Sequence, residues 1–262
     1  MPEIPDVEVF TRNLNQLLAG KKLDKIKVVN GKKLQDSQQA LSKALRGKKL
    51  EKIYRSGKEM RFLFSGNTLL GLHLMLTGDV FIFDKNNTHK STIVELHFED
   101  GTGMALTDRM GNANIKLDPV DKAGVDAISD ELDFKYLKAA LKRRTSIKNV
   151  LTDQDSIRGI GNSYSDEILW ACRISPFSVA NAIPDDKIKE LVTAIKKILK
   201  EEIKNIYKNH KGKINVEVKD YLKIHSKTHT HSPTGKLIKT VQKGMMKTYY
   251  TDEQLLYDKP IS

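Results

Sequence analysis

Pro2 and Glu3 are the residues in this chain whose types and spacing most directly suggest chemistry. If Met1 is removed, Pro2 presents a secondary amine at the chain terminus. A free amine attacks electrophilic carbon and can form a Schiff base. The carboxylate of Glu3, on the next residue, can move protons for such a reaction. Taken alone, the pair reads more simply as a tail with two prolines, Pro2 and Pro5, ahead of a helix. The other polar candidates lie far along the chain: Lys58 after a strand, Arg109, Lys148, Asn162 at a Gly-x-Gly turn, and Lys247.

The elements that must position these residues change in kind along the chain. Residues 7–19 have helical periodicity, with Phe10, Leu14, Leu17 and Leu18 on one face and Gly20 as the stop. From Lys21 to about Leu117 the pattern is of β-strands, such as Leu69-Leu70-Gly71-Leu72-His73-Leu74 and Ile93-Val94-Glu95-Leu96-His97-Phe98. Turn signals at Ser65-Gly66-Asn67 and Glu99-Asp100-Gly101 separate them. Asp118–Lys122 reads as a linker. Helices follow at Asp133, at Ser146, from Asn162 to Cys172 and from Pro184 to Tyr207. The tail from Lys213 is polar and β-like. Strands followed by helices predict an α+β chain of two domains with a cleft between them. The boundaries are 1–120 for an N-terminal β-sandwich with flanking helices, 121–212 for a helical domain and 213–262 for a terminal β-hairpin.

The chain has 262 residues, 39% of them hydrophobic, and no long apolar run, which predicts a soluble globular protein. Its start lacks the basic and apolar segments of a secretory signal. The one cysteine, Cys172, lies in an apolar run and reads as a small buried hydrophobe. With no disulfide framework, a reducing compartment is expected, cytoplasmic or nuclear. Lys and Arg number 45 against 33 Asp and Glu, a net charge of +12. That excess favours a polyanionic partner, nucleic acid before membrane.

Three separated segments resemble one family. Met1-Pro2-Glu3-Ile4-Pro5-Asp6-Val7-Glu8 resembles the Met-Pro-Glu-Leu-Pro-Glu-Val-Glu opening of the formamidopyrimidine-DNA glycosylase/endonuclease VIII family. Arg55-Ser56-Gly57-Lys58 resembles its Arg-Ala-Lys stretch. Ile157 to Trp170, with Gly159-Ile160-Gly161-Asn162 at its centre, resembles its helix–two-turn–helix signature, and Arg173-Ile174-Ser175-Pro176 completes it. Each motif is weak alone; in this order and spacing they are specific. A small N-terminal-proline tautomerase would leave the helical signature unexplained.

The resemblance implies a bifunctional DNA glycosylase/AP lyase of base-excision repair. Such an enzyme flips a damaged base out of duplex DNA, forms a Schiff base through Pro2, and cuts the strand by β-elimination, often with δ-elimination. It implies Glu3 as proton donor and acceptor, and Lys58 as catalytic lysine and phosphate contact. His73-Leu74-Met75-Leu76-Thr77-Gly78 and Asp108-Arg109-Met110-Gly111 resemble the loops that fill the gap left by the flipped base. Leu76 and Met110 would then be intercalating wedges, and Arg109 a contact to the estranged base or a phosphate. Strand-end core packing is the plainer reading of Leu76 and Met110. Lys148 and Asn162 are implied phosphate contacts, and Asn162 could equally be a helix cap.

The family's four-cysteine zinc finger has no counterpart in this sequence. A zincless finger is expected, with no metal and no cofactor. Packing of Leu237, Ile238, Val241, Tyr249 and Tyr250 would hold it, and Lys247 would stand in for the family's finger arginine. His225, His229 and His231 read as a solvated loop. Asp6 replaces the usual Glu. The long loop that caps 8-oxoguanine in some members is nearly absent between Leu222 and Lys223, which points to formamidopyrimidines, hydantoins or oxidised pyrimidines. A monomer is expected, with damaged or abasic duplex DNA as its partner and no membrane contact.

Overall fold

The computed structural model describes residues 1–244 and 246–259. The chain forms two compact units, Met1–Asp121 with Ile206–Glu217 and Lys122–Asn205 with Val218–Ser262. The terminal hairpin thus clusters with the helices, and a short return segment clusters with the strands.

The first unit opens with helix α1 (Ile4–Leu18). It begins three residues before the sequence periodicity does, because Pro5 in the first turn needs no amide donor and its fixed φ suits a helix. Phe10, Leu14 and Leu18 are buried as expected, whereas Leu17 faces solvent. Strand β1 (Leu23–Val28) is followed by a helix the strand pattern concealed, α2 (Gln38–Leu45). Ser37 caps it by accepting the Ala40 N–H at 3.1 Å, and Leu41 and Leu45, four residues apart, carry its buried face. Then come β2 (Leu50–Ser56), β3 (Glu59–Phe64), β4 (Thr68–His73), β5 (Gly78–Asp84), β6 (Thr92–Phe98), β7 (Thr102–Asp108) and β8 (Asn114–Leu117).

These strands make two antiparallel four-stranded sheets, β1-β6-β7-β5 and β2-β3-β4-β8. One apolar cluster joins Phe10 and Leu14 of α1 to Phe62, Leu70 and Leu72 of one sheet and Leu96, Met104 and Leu106 of the other. Burying each such side chain contributes about 1.5–3 kcal/mol, so α1 is fixed to the strands along its length.

In the second unit, β9 (Val125–Asp126) pairs in parallel with β10 (Ile157–Arg158). Helix α3 (Phe134–Ala140) is capped by Asp133, and α4 (Ile147–Thr152) by Ser146. Helix α5 (Asn162–Ala171) and the long α6 (Asp185–Asn209) follow. The tail yields strands β11 (Lys239–Lys243) and β12 (Met246–Tyr250), which pair antiparallel. Among the described residues no helix is long and apolar enough to cross a membrane.

Candidate active site

Pro2 and Glu3 stand at the amino end of α1, and both are buried. Glu3 is the N-cap residue, in extended conformation, and its carbonyl accepts the Val7 N–H at 3.0 Å. Its side chain does not cap the helix. The helix dipole places positive potential here, which favours carboxylates such as Glu3 and the buried Asp6. The Met1 ammonium forms an ion pair with Glu217, a residue sequence reasoning did not single out. Glu217 follows Val216, a β-branched residue in the left-handed region at φ +59. The segment is tied down by Asn13 Nδ2 to the Lys213 carbonyl at 2.7 Å and by Asn215 Nδ2 to the Val80 carbonyl at 2.9 Å.

Lys58 occupies the two-residue turn between β2 and β3, where Ser56 pairs with Glu59. Gly57 takes φ +58 there, a conformation that costs glycine nothing. Lys58 is only 8% exposed. Its turn is held from α1. Glu8 accepts Arg55 Nε at 3.0 Å, and Arg55 Nη1 donates to the Gly57 carbonyl at 2.9 Å. Glu8 and Arg55 were visible in the sequence only as flanking letters, because their pairing crosses 47 residues.

Leu76 and Met110 are 56% and 54% exposed, so neither belongs to the core. Leu76 lies in the turn between β4 and β5, where Met75 takes φ +54. A Cβ on Gly78 would come within 2.2 Å of the Leu74 carbonyl oxygen, so the close of this turn admits only glycine. Met110 and the exposed Arg109 follow β7. The buried carboxylate of Asp108 fastens the two loops together. It accepts Thr77 Oγ1 at 2.5 Å from one loop, and the N–H groups of Met110, Asn112 and Ala113 at 2.7–2.9 Å from its own. Burial pushes the Asp108 carboxyl up, but these donors outweigh it and hold it below the usual range.

In the second unit, Lys148 is nearly buried on α4. Its ammonium donates to Asp166 Oδ1 at 2.5 Å and to Thr248 Oγ1 at 2.9 Å. Asn162 is the first residue of α5 and Gly161 its cap, so Asn162 does not itself cap the helix. Asn162 Nδ2 donates instead to the Lys247 carbonyl at 2.9 Å, and the Lys247 ammonium lies 5.1 Å from the Tyr249 ring centre.

The hairpin is not held as its side chains suggested. Leu237 and Val241 are 56% and 42% exposed. Tyr249 is buried with Trp170 and Ile224, Ile238 packs against that cluster, and Tyr250 meets Phe177 edge-on. His229 and His231 are exposed, but His225 is not a solvated loop residue: its Nδ1 lies 2.7 Å from Asp166 Oδ2. A four-thiolate metal site does not fit these residues. The single thiol, Cys172, ends α5 and is pushed up to about 12, by burial and then by the Glu190 charge. Among the described residues no group of three or more His, Cys, Asp and Glu could hold a metal ion.

Comparison with known proteins accounts for this combination. The formamidopyrimidine-DNA glycosylase N-terminal domain matches residues 1–113, and the H2TH domain of the same glycosylases matches residues 123–211. The formamidopyrimidine-DNA glycosylase of Lactobacillus helveticus is 34% identical over 78% of each chain. The chain belongs to the formamidopyrimidine-DNA glycosylase family. A second relative, from Listeria monocytogenes, is 29% identical over 87% of this chain and 89% of its own. Among solved structures, Lactococcus lactis formamidopyrimidine-DNA glycosylase non-covalently bound to DNA containing an abasic site has a TM-score of 0.83. It is 24% identical over 95% of this chain and 97% of that one, a likeness of fold. The family's fold is the one described above, strands before helices and a terminal hairpin.

Proposed function

We propose that this family member is a bifunctional DNA glycosylase and AP lyase acting on oxidised bases in duplex DNA. The observation that carries the reading is the linkage along α1. Pro2 and Glu3 are buried at its start, and Glu8, further along it, holds through Arg55 the turn that presents Lys58. With Met1 removed, the Pro2 nitrogen attacks the sugar C1′, the base departs with the bonding pair of the C1′–N bond, and the proton that the Pro2 nitrogen gives up balances the one the base takes on. Glu3 protonates the ring oxygen as the ring opens, and an iminium remains at C1′. The iminium acidifies the C2′ proton; its loss expels the 3′ phosphate and nicks the strand. Lys58 supplies a proton or a phosphate contact.

Leu76 and Met110 have the exposure and apolar character that a wedge between unstacked bases needs, with Arg109 beside them for the estranged base. In the second unit, the first turn of α5 at Asn162 offers backbone donors to a phosphate, joined by Lys148 and Lys247. The net charge of +12 suits that partner. The short Leu222–Lys223 connection favours formamidopyrimidines, hydantoins or oxidised pyrimidines over 8-oxoguanine.

Borohydride added to the Met1-free protein on abasic-site duplex tests the reading. A covalent adduct is expected, and it should be lost where Met1 is retained and the Pro2 nitrogen is an amide. Salt-sensitive binding with no adduct would instead make the chain a lesion-binding protein of the same fold. A panel of duplexes with single lesions then assigns the base.

A further inference from the structure

We propose that Asp166 is a positioning residue for DNA engagement: it sets the Lys148 ammonium and the hairpin strand β12 in one fixed arrangement against α5. The inference rests on the reading of Lys148, Asn162 and Lys247 as phosphate contacts.

Asp166 is fully buried. Its two oxygens take donors from three distant parts of the chain: Lys148 Nζ at 2.5 Å, His225 Nδ1 at 2.7 Å and the Tyr249 N–H at 2.9 Å. A lysine ammonium sits on a flexible four-carbon stem and does not by itself hold a direction. Here the short charge-assisted bond to Asp166 and the bond to Thr248 fix two of its N–H directions. Three consecutive residues of β12 are thereby tied to α4 and α5. Asn162 holds the Lys247 carbonyl, Lys148 holds the Thr248 hydroxyl, and Asp166 holds the Tyr249 amide.

Glu167, the next residue of α5, secures the segment leading to the hairpin. It accepts the N–H groups of Lys223, Ile224 and His225 at 2.8–2.9 Å. Burial pushes the Glu167 carboxyl up, against these three donors. Adjacent helix residues project about 100° apart, so two carboxylates serve two strands of chain. Anchoring alone would not call for a lysine at this place, since apolar residues anchor at least as well as a buried ion pair. The arrangement joins the anchor to a cation in the same unit as the α5 start and Lys247.

The test uses the full Met1-free chain and an abasic-site duplex. Binding is read by anisotropy across a potassium chloride series, and nicking by steady-state kinetics. Asp166→Asn is expected to weaken binding about tenfold and to lower the salt slope by about one, the share of one phosphate contact. The loss should fall on KM more than on kcat. Lys148→Gln should behave alike, and the double variant should bind no more weakly than Lys148→Gln alone. Thr248→Val, which removes only the second partner of the ammonium, should cost a few-fold.

A folded Asp166→Asn chain with wild-type affinity and salt slope overturns the proposal, as do additive losses in the double variant. Where Asp166→Asn does not fold by circular dichroism, Thr248→Val decides: unchanged binding overturns the proposal. A wild-type chain that does not bind the duplex overturns the functional reading as well. Wild-type nicking with an indifferent Asp166→Asn overturns only this inference.

Discussion

Asp108 in the strand-built unit and Asp166 in the helical unit are both buried carboxylates with more than one donor, yet they are used differently. Asp108 gathers four neutral donors, three of them amides within five residues of itself. It shapes a loop that a continuous apolar core already supports from behind. Asp166 gathers a lysine 18 residues away, a histidine 59 away and an amide 83 away. Around it the apolar support for the hairpin is small, chiefly Trp170, Ile224 and Tyr249. Where apolar area is plentiful, carboxylates refine the shape of loops. Where it is scarce, they connect segments of chain.

The contrast is open to measurement. The largest effect is expected from Phe10→Ala, which opens a cavity under α1 and should cost about 3–5 kcal/mol in urea unfolding. An equally large loss of nicking under native conditions would show that α1 needs its core contacts to hold Pro2 and Glu3. A cost under about 1 kcal/mol would mean that the apolar core is not what fixes this helix.

Asp108→Ala leaves the Ala113 amide and its companions without their acceptor and should cost about 2–3 kcal/mol. Because the loops of Leu76 and Met110 lose their common fastening, lesion-duplex binding should fall further than stability alone explains. Equal binding by the folded variant would show that Asp108 matters only to its own turn.

A smaller effect belongs to the helical unit. Glu202 on α6 is pushed up to about 7, by burial and then by the nearby Glu167 charge. Its folded-state pKa lies above the ordinary glutamate value of 4.5, so the folded chain holds this proton more tightly than the unfolded one. Stability therefore falls as pH rises from about 4.5 to about 7, and the full penalty is present above that. Glu202→Gln should raise stability at pH 8 by about 1 kcal/mol, allowing for solvent screening, and leave it unchanged near pH 4.5. A gain at both pH values would point to packing instead of charge.

What could be read from the sequence followed the reach of each interaction. Helix α4, opened by Ser146, and α3, opened by Asp133, depend on neighbours a few residues apart, and their signals were plain. Helix α2 was hidden because its two buried leucines make a weak pattern inside a run of strands. The exposure of Leu237 and Val241, the bonding of the half-buried His225 to Asp166 and the pairing of Glu8 with Arg55 all depend on how residues dozens of positions apart come together. A hairpin sequence cannot reveal that Asp166 holds it, and Glu167 the segment before it, from another element. The return of residues 206–217 to the strand-built unit is likewise set by contacts such as Asn13 with Lys213, 200 residues apart.

Pro2 as the nucleophile is tested most directly by mapping the borohydride-trapped adduct by mass spectrometry of tryptic peptides. The sugar remnant is expected on the peptide that begins at Pro2 and ends at Arg12, attached to the terminal nitrogen. An adduct on the peptide containing Lys58, or none with a chain shown to lack Met1, would contradict it.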